Sequence, residues 1–205
     1  MPTLKPFPSA AAVAAALLVL LVAVPVWAQP SSSPGGSGTS LSGGRGGYLG
    51  LNVGRSSYRL PCGPSSLTCD TDDESLNLYA GTLLGSFWGA EVGLLDMGRV
   101  ERAGGRTRAR GLNLSLVARA PVWQSAGVFG KLGTTYGRTD TSVQTGGDIP
   151  GGSENGFGLS FGAGISWDFT PRLSAVLEWD SHDFRFAGGG RDPVRSTSLG
   201  LQYRY

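Results

Sequence analysis

Gly158-Leu-Ser-Phe-Gly162 has the G-x-S-x-G spacing of a serine nucleophile, and Asp180 and His182 follow in the order a hydrolase uses. That chemistry needs the serine on a sharp strand-to-helix turn, with its hydroxyl held out towards a base. Ser160 instead falls midway along an alternating run, and no helical pattern follows it. His182, the only histidine, falls where the next run ends, and is expected too far from Ser160 to take its proton. No catalytic residue is assigned. A second constellation is ionic. Glu91, Arg119, Lys131 and Glu178 each interrupt a stretch of apolar or small residues. Two acids and two bases that share a narrow interior would pair and hydrogen-bond one another.

The elements that must position these groups begin after an export signal. Lys5 precedes an apolar run, residues 10–24, and then Pro25-Val-Trp-Ala28, with a cleavage point between Ala28 and Gln29. A spanning helix wants about 20 apolar residues, and this run is shorter and ends at a proline. Residues 1–28 therefore read as a signal peptide. Residues 29–46 are Ser, Gly, Pro and little else, a flexible leader that cannot bury a core. Gly43-Gly-Arg-Gly-Gly47 has the look of an RNA-binding RGG segment, but one copy in an exported chain reads as linker. Residues 47–205 are long enough for one domain.

Composition narrows the class. The chain has 34 glycines in 205 residues, well above the usual share of about 7%. Charged residues make up 16% and the formal net charge is +2, without the clustered basic face that a nucleic-acid partner needs. No apolar run after residue 28 would form a spanning helix. A membrane role would have to rest on strands.

Beyond Gly47 the hydrophobic period is two. Leu49, Leu51 and Val53 share one face; so do Leu76, Leu78 and Ala80, and then Trp88, Ala90, Val92 and Leu94. Leu112 to Ala120, Val128 to Tyr136, Phe157 to Trp167, Ala175 to Trp179 and Thr197 to Tyr205 alternate in the same way. Eight such segments make the smallest even-stranded outer-membrane barrel. The connections after even segments are short: 82–87, 121–127 and 168–172. Those after odd segments are long and polar: 58–74, 99–110, 138–155 and 184–195. Short turns on one side and long outward loops on the other is the pattern of a barrel spanning an outer membrane. The opposite faces are crowded with glycine and serine, which suits a tight interior, while the apolar faces meet lipid. A soluble ligand-binding barrel would bury its apolar face inward. The fold expected is all-β: an eight-stranded, antiparallel, up-and-down transmembrane β-barrel. Trp88, Trp123, Trp167, Trp179, Tyr203 and Tyr205 fall near predicted strand ends, as interfacial girdles do.

Gly89-Ala-Glu-Val-Gly-Leu-Leu-Asp-Met-Gly98, Val117-Ala-Arg-Ala-Pro121, Val128-Phe-Gly-Lys-Leu-Gly133, Ala175-Val-Leu-Glu-Trp179 and the aromatic terminus resemble strands of the OmpA-like eight-stranded barrel family. The resemblance covers residues 47–205 and implies a monomer in the outer membrane of a Gram-negative cell. It also implies that Glu91, Arg119, Lys131 and Glu178 form a polar plug in the lumen. Tyr203 and Tyr205 would belong to the signal read by the barrel-assembly machinery. The chain is expected to lack the peptidoglycan-binding domain of full-length OmpA, so an anchoring role does not carry over.

The function expected is structural or surface-facing, with lipid and lipopolysaccharide as neighbours and a surface ligand for the long loops. The alternatives are a narrow pore gated by the lumen charges and a lipid A-modifying barrel enzyme. The second would need His182 and a serine side by side on the lipid-facing wall. Cys62 and Cys69 share the first long loop, and in an oxidising compartment a disulfide is the default. Asp70, Asp72, Asp73 and Glu74 follow; a weak divalent-cation site is conceivable there, but a solvated loop is the plainer reading and no metal or cofactor is assigned. The five arginines in 99–110 either meet lipopolysaccharide phosphates or line an ordinary solvated loop. Asn113-Leu-Ser115 matches a glycosylation pattern, but lies within a predicted strand.

Overall fold

Alternation this regular pairs with itself, and a computed structural model of the chain describes residues 46–59, 71–102, 105–143, 151–188 and 190–205. Eight strands are present: β1 (Gly47–Tyr58), β2 (Asp72–Leu83), β3 (Trp88–Arg102), β4 (Gly105–Pro121), β5 (Ala126–Val143), β6 (Gly152–Asp168), β7 (Leu173–Phe186) and β8 (Gly190–Arg204). Each is antiparallel to the next, and β1 pairs with β8 to close the barrel. Among the described residues, no helix is long and apolar enough to cross a membrane. The proposed signal peptide, nearly all of the leader, and Cys62 and Cys69 lie outside the described residues.

The barrel is inside-out relative to a soluble protein. Leu94 is 57% exposed, Leu114 59%, Leu132 60% and Leu199 59%, while Asn52 on the inner wall is 0% exposed. A face of that kind is stable only against lipid. Three tight turns and the two described chain ends share one end of the barrel. There Leu84 N–H and Gly85 N–H bond to Trp88 O, and Val122 N–H bonds to Ala126 O. The Thr170 hydroxyl accepts from the backbone N–H of Leu173 at 3.0 Å. Trp88, Trp123, Trp167 and Tyr205 cluster on the outer surface at this end. Trp179 does not join them; it lies within β7, its ring 5.8 Å from that of Phe161.

At the other end, three of the stretches expected to be long loops are largely strand. β3 runs on to Arg102 and β4 begins at Gly105, β5 reaches Val143 before β6 starts at Gly152, and β7 reaches Phe186 with β8 starting at Gly190. The reason is a reversal in the alternation. Above the lipid belt the outward positions turn polar (Arg106, Arg108, Arg110, Arg185) and inward ones become apolar or threonine (Val100, Thr107, Ala109, Phe184, Phe186, Val194). A strand standing in water buries its apolar side against its own interior, and this half of the barrel obeys that rule.

The ladder is not uniform. β6 pairs with β7 only between Ser160–His182 and Asp168–Ser174, whereas β7 stays paired with β8 up to Phe186–Gly190. Above His182, β7 leans across the lumen towards β5. The Thr139 hydroxyl on β5 donates to Arg185 O at 2.5 Å, and the Phe184 ring lies where a Cβ on Gly137 would stand.

Candidate functional site

Glycine clears the inner wall for the large side chains that fill it. A Cβ on Gly50 would stand 2.2 Å from the Tyr79 ring, one on Gly81 2.2 Å from the Tyr48 ring, and one on Gly164 2.4 Å from the Phe129 ring. On this bed the lumen holds three layers.

The first layer is ionic and centres on Lys131. Its Nζ is 2.6 Å from Glu91 Oε1 and also pairs with Glu178 Oε1. Glu91 sits on β3, Lys131 on β5 and Glu178 on β7, all inward and buried. The remaining carboxylate oxygens are held too: Tyr48 O–H donates to Glu91 Oε2 at 3.0 Å, and Asn52 Nδ2 donates to Glu178 Oε2 at 2.8 Å. Lys131 Nζ also lies 4.7 Å from the centre of the Tyr79 ring. Asp180, two residues beyond Glu178 on the same wall, is a further buried carboxylate. The sequence reading weighs it as a hydrolase acid and leaves it out of the ion network.

Arg119 departs from expectation. Among the described residues it pairs with no carboxylate. Its guanidinium lies 4.4 Å over the Tyr48 ring and donates to Gln202 Oε1 at 2.9 Å, nearer the short-turn end. Tyr48 stands between Arg119 and Glu91, its ring under the guanidinium and its hydroxyl on the carboxylate.

The second layer is neutral and contains the suspected hydrolase residues. Ser160 and His182 are direct cross-strand neighbours, which corrects the expectation that they lie far apart. Strand tilt brings together residues that residue counting along two separate runs had set at different heights. They face the lumen, not lipid, and both are buried. Asn113 Nδ2 donates to Ser160 Oγ at 2.7 Å and to Thr135 Oγ1 at 2.9 Å, and Thr135 Oγ1 lies 2.8 Å from His182 Nδ1. Asn113 and Ser115, hydrogen-bonded to each other, are likewise inside the wall.

The third layer is apolar. Tyr58, Leu95, Met97, Val100, Ala109, Phe184, Phe186 and Val194 pack together inside the extended half of the barrel. The Tyr58 ring meets Phe186 edge-on at 6.3 Å, and its hydroxyl donates to Met97 O at 2.9 Å. Nothing in a search for outward apolar runs could find this cluster, because its members alternate with charges.

Of the acidic residues after the cysteines, Asp73 accepts the backbone N–H of Arg99. No group of three or more potential metal ligands occurs among the described residues. Tyr203 faces outward on β8, and Tyr205 N–H bonds to Gly47 O at 3.0 Å.

Comparison with known proteins agrees with this geometry. The family described as outer membrane protein beta-barrel domain matches residues 14–205. Among solved structures, Neisserial surface protein A superposes with a TM-score of 0.57 at 12% identity, covering 78% of this chain and 97% of that one. The N-terminal β-barrel domain of Pseudomonas aeruginosa OprF gives 0.52 at 11% identity, covering 77% and 97%. OprG from the same organism gives 0.51 at 13% identity, covering 81% and 99%. No curated protein sequence matches the chain. With the family match spanning the whole closed barrel, the chain belongs to the outer-membrane β-barrel domain family and resides in the cell outer membrane.

Proposed function

We propose that this protein is a sealed barrel, doing its work at the outer surface of the envelope and not through its bore. The observation that carries this reading is the pair of plugs in series: the Lys131 ion cluster, and above it the apolar cluster around Phe184. Eight-stranded interiors are just wide enough to be filled by side chains, and this one is filled with two unlike chemistries. An ion that displaced the first would still meet a dry constriction. A non-catalytic role is supported by Ser160 and His182, which are bonded to Asn113 and Thr135 inside the wall, where no lipid substrate reaches. Contacts with the assembly machinery, and with a surface ligand through the extracellular connections, belong to the same proposal, as does a monomeric state.

The rival pore reading has one observation in its favour. Tyr79 O–H, Ser198 Oγ, Gln202 Nε2 and Asn52 Oδ1 are buried without protein partners, which suits internal water. Planar-bilayer recording separates the two. A sealed barrel gives no conductance steps as wild type, and none as Lys131→Ala, because the apolar cluster still closes the bore. Steps in the wild-type protein that change when Lys131 is neutralised would replace this reading with the gated pore.

A further inference from the structure

Arg110 on β4 and Arg138 on β5 stand directly opposite each other on the outer wall, immediately above Leu112 and Tyr136. Like charges placed directly across a strand pair are destabilising. Each shares its carboxylate with a second donor. Arg110 Nε is 3.4 Å from Asp96, which Arg108 also holds, and Arg138 pairs with Asp140 through Nε and Nη2 at 3.3 Å, an oxygen that also takes the Ser153 hydroxyl. Both guanidinium side chains remain more than half exposed, at 57% and 65%. Arg99 and Arg106 continue the basic face upward. Among the described outward side chains of β3–β5, Arg99, Arg106, Arg108, Arg110 and Arg138 thus face three carboxylates, Asp96, Glu101 and Asp140.

Below the pair is a groove of about 480 Å³ on the lipid-facing wall, lined by Leu76, Leu78, Leu94 and Leu112 with Tyr136 at its side, and edged above by Arg110, Arg138 and the Asp96 carboxylate. An apolar trough that ends upward in two guanidinium groups, each more than half exposed beside a shared carboxylate, has the layout of one kind of molecule: an acyl chain carrying a phosphate.

We propose that Arg110, Arg138 and the leucine groove beneath them form a binding site for a phosphorylated lipid of the outer leaflet. The phosphate sits between the two guanidinium forks, each of which matches two of its oxygens. One acyl chain lies along Leu112, Leu94 and Leu78. The bound anion converts a repulsive cross-strand pair into a bridged one, so lipid and strand extension stabilise each other. Free phosphate would leave the groove empty and forgo the apolar contact, which is why the lipid is the occupant. This site is independent of whether the bore conducts.

The test uses the refolded full barrel in micelles of an uncharged, phosphate-free maltoside detergent, titrated with lipid A bisphosphate and with the same lipid stripped of phosphate. Wild type is expected to retain the bisphosphate, and Arg110→Gln/Arg138→Gln to lose about tenfold or more in affinity, since both charge-assisted donors to the phosphate are removed. The phosphate-free lipid should bind both proteins alike, and weakly. Arg172→Gln, on one of the tight turns, should bind as wild type does. Heat-dependent gel migration verifies that each variant is folded. Unchanged affinity in the double variant, or equal retention of the two lipids by wild type, overturns the proposal. So does full displacement of the lipid by millimolar inorganic phosphate, which would make this a free-anion site.

Discussion

Lys131 is the residue on which the lumen depends. It faces two carboxylates, both buried and both hydrogen-bonded on their other oxygens. Removing one partner of such a group leaves uncompensated charge in the interior, at a cost of about 3–5 kcal/mol. Arg119 is held differently, by a ring and an amide, and a desolvated cation–π contact contributes about 2 kcal/mol. Lys131→Ala should therefore lower the urea midpoint clearly more than Arg119→Ala. Equal losses would mean that the guanidinium reaches a carboxylate after all. If Lys131→Ala does not assemble, the fourfold change Lys131→Met, Glu91→Gln, Glu178→Gln, Asp180→Asn should, because it strands no carboxylate of this cluster. The inward position of all four residues was legible from alternation alone. Their partners were not, because partnership across a bore depends on register and tilt, which no single strand encodes.

At the scale of elements, one rule governs the lower barrel and its reverse governs the upper. Leucines such as Leu112 and Leu114 face lipid, but three residues before Leu112 the apolar position is Ala109, facing in. Reading only for outward apolar runs makes the upper strands look like polar loops. The hairpin of β7 and β8 illustrates the consequence. Phe184 crosses the lumen to lie against Gly137 on β5, and Arg185 O takes the Thr139 hydroxyl. Truncating a buried phenylalanine costs about 3–5 kcal/mol. Phe184→Ala should lower stability by that order and speed amide hydrogen exchange over residues 183–186 and 190–194. Unaltered exchange there would show that the hairpin is held by its β7–β8 ladder alone. The glycines belong to this scale as well. Gly133 lets β5 approach β4 so closely that a Cβ would stand 2.1 Å from Leu114 O, which composition announces only as an excess of glycine.

For the whole molecule, closure is the organising fact. The β1–β8 seam runs from Tyr48–Arg204 up to Tyr58–Val194, and Tyr205 adds one bond to Gly47 beyond it. Tyr205 is 75% exposed, so it contributes little burial to the finished barrel. Deleting it should reduce the amount of barrel in the outer membrane while leaving the urea midpoint of the assembled fraction near wild type. Normal yield without Tyr205 would remove its proposed part in assembly; a lowered midpoint would reassign it to the seam. The sequence by itself determined the strand count, the two faces of the belt and the membrane setting, because period-two alternation and turn length are local properties of the chain. Only the tertiary structure decided which charges meet, that Ser160 and His182 are neighbours on an inner wall, and that Arg110 opposes Arg138. Those are contacts between strands, fixed by the stagger and tilt that closing eight strands into one barrel imposes.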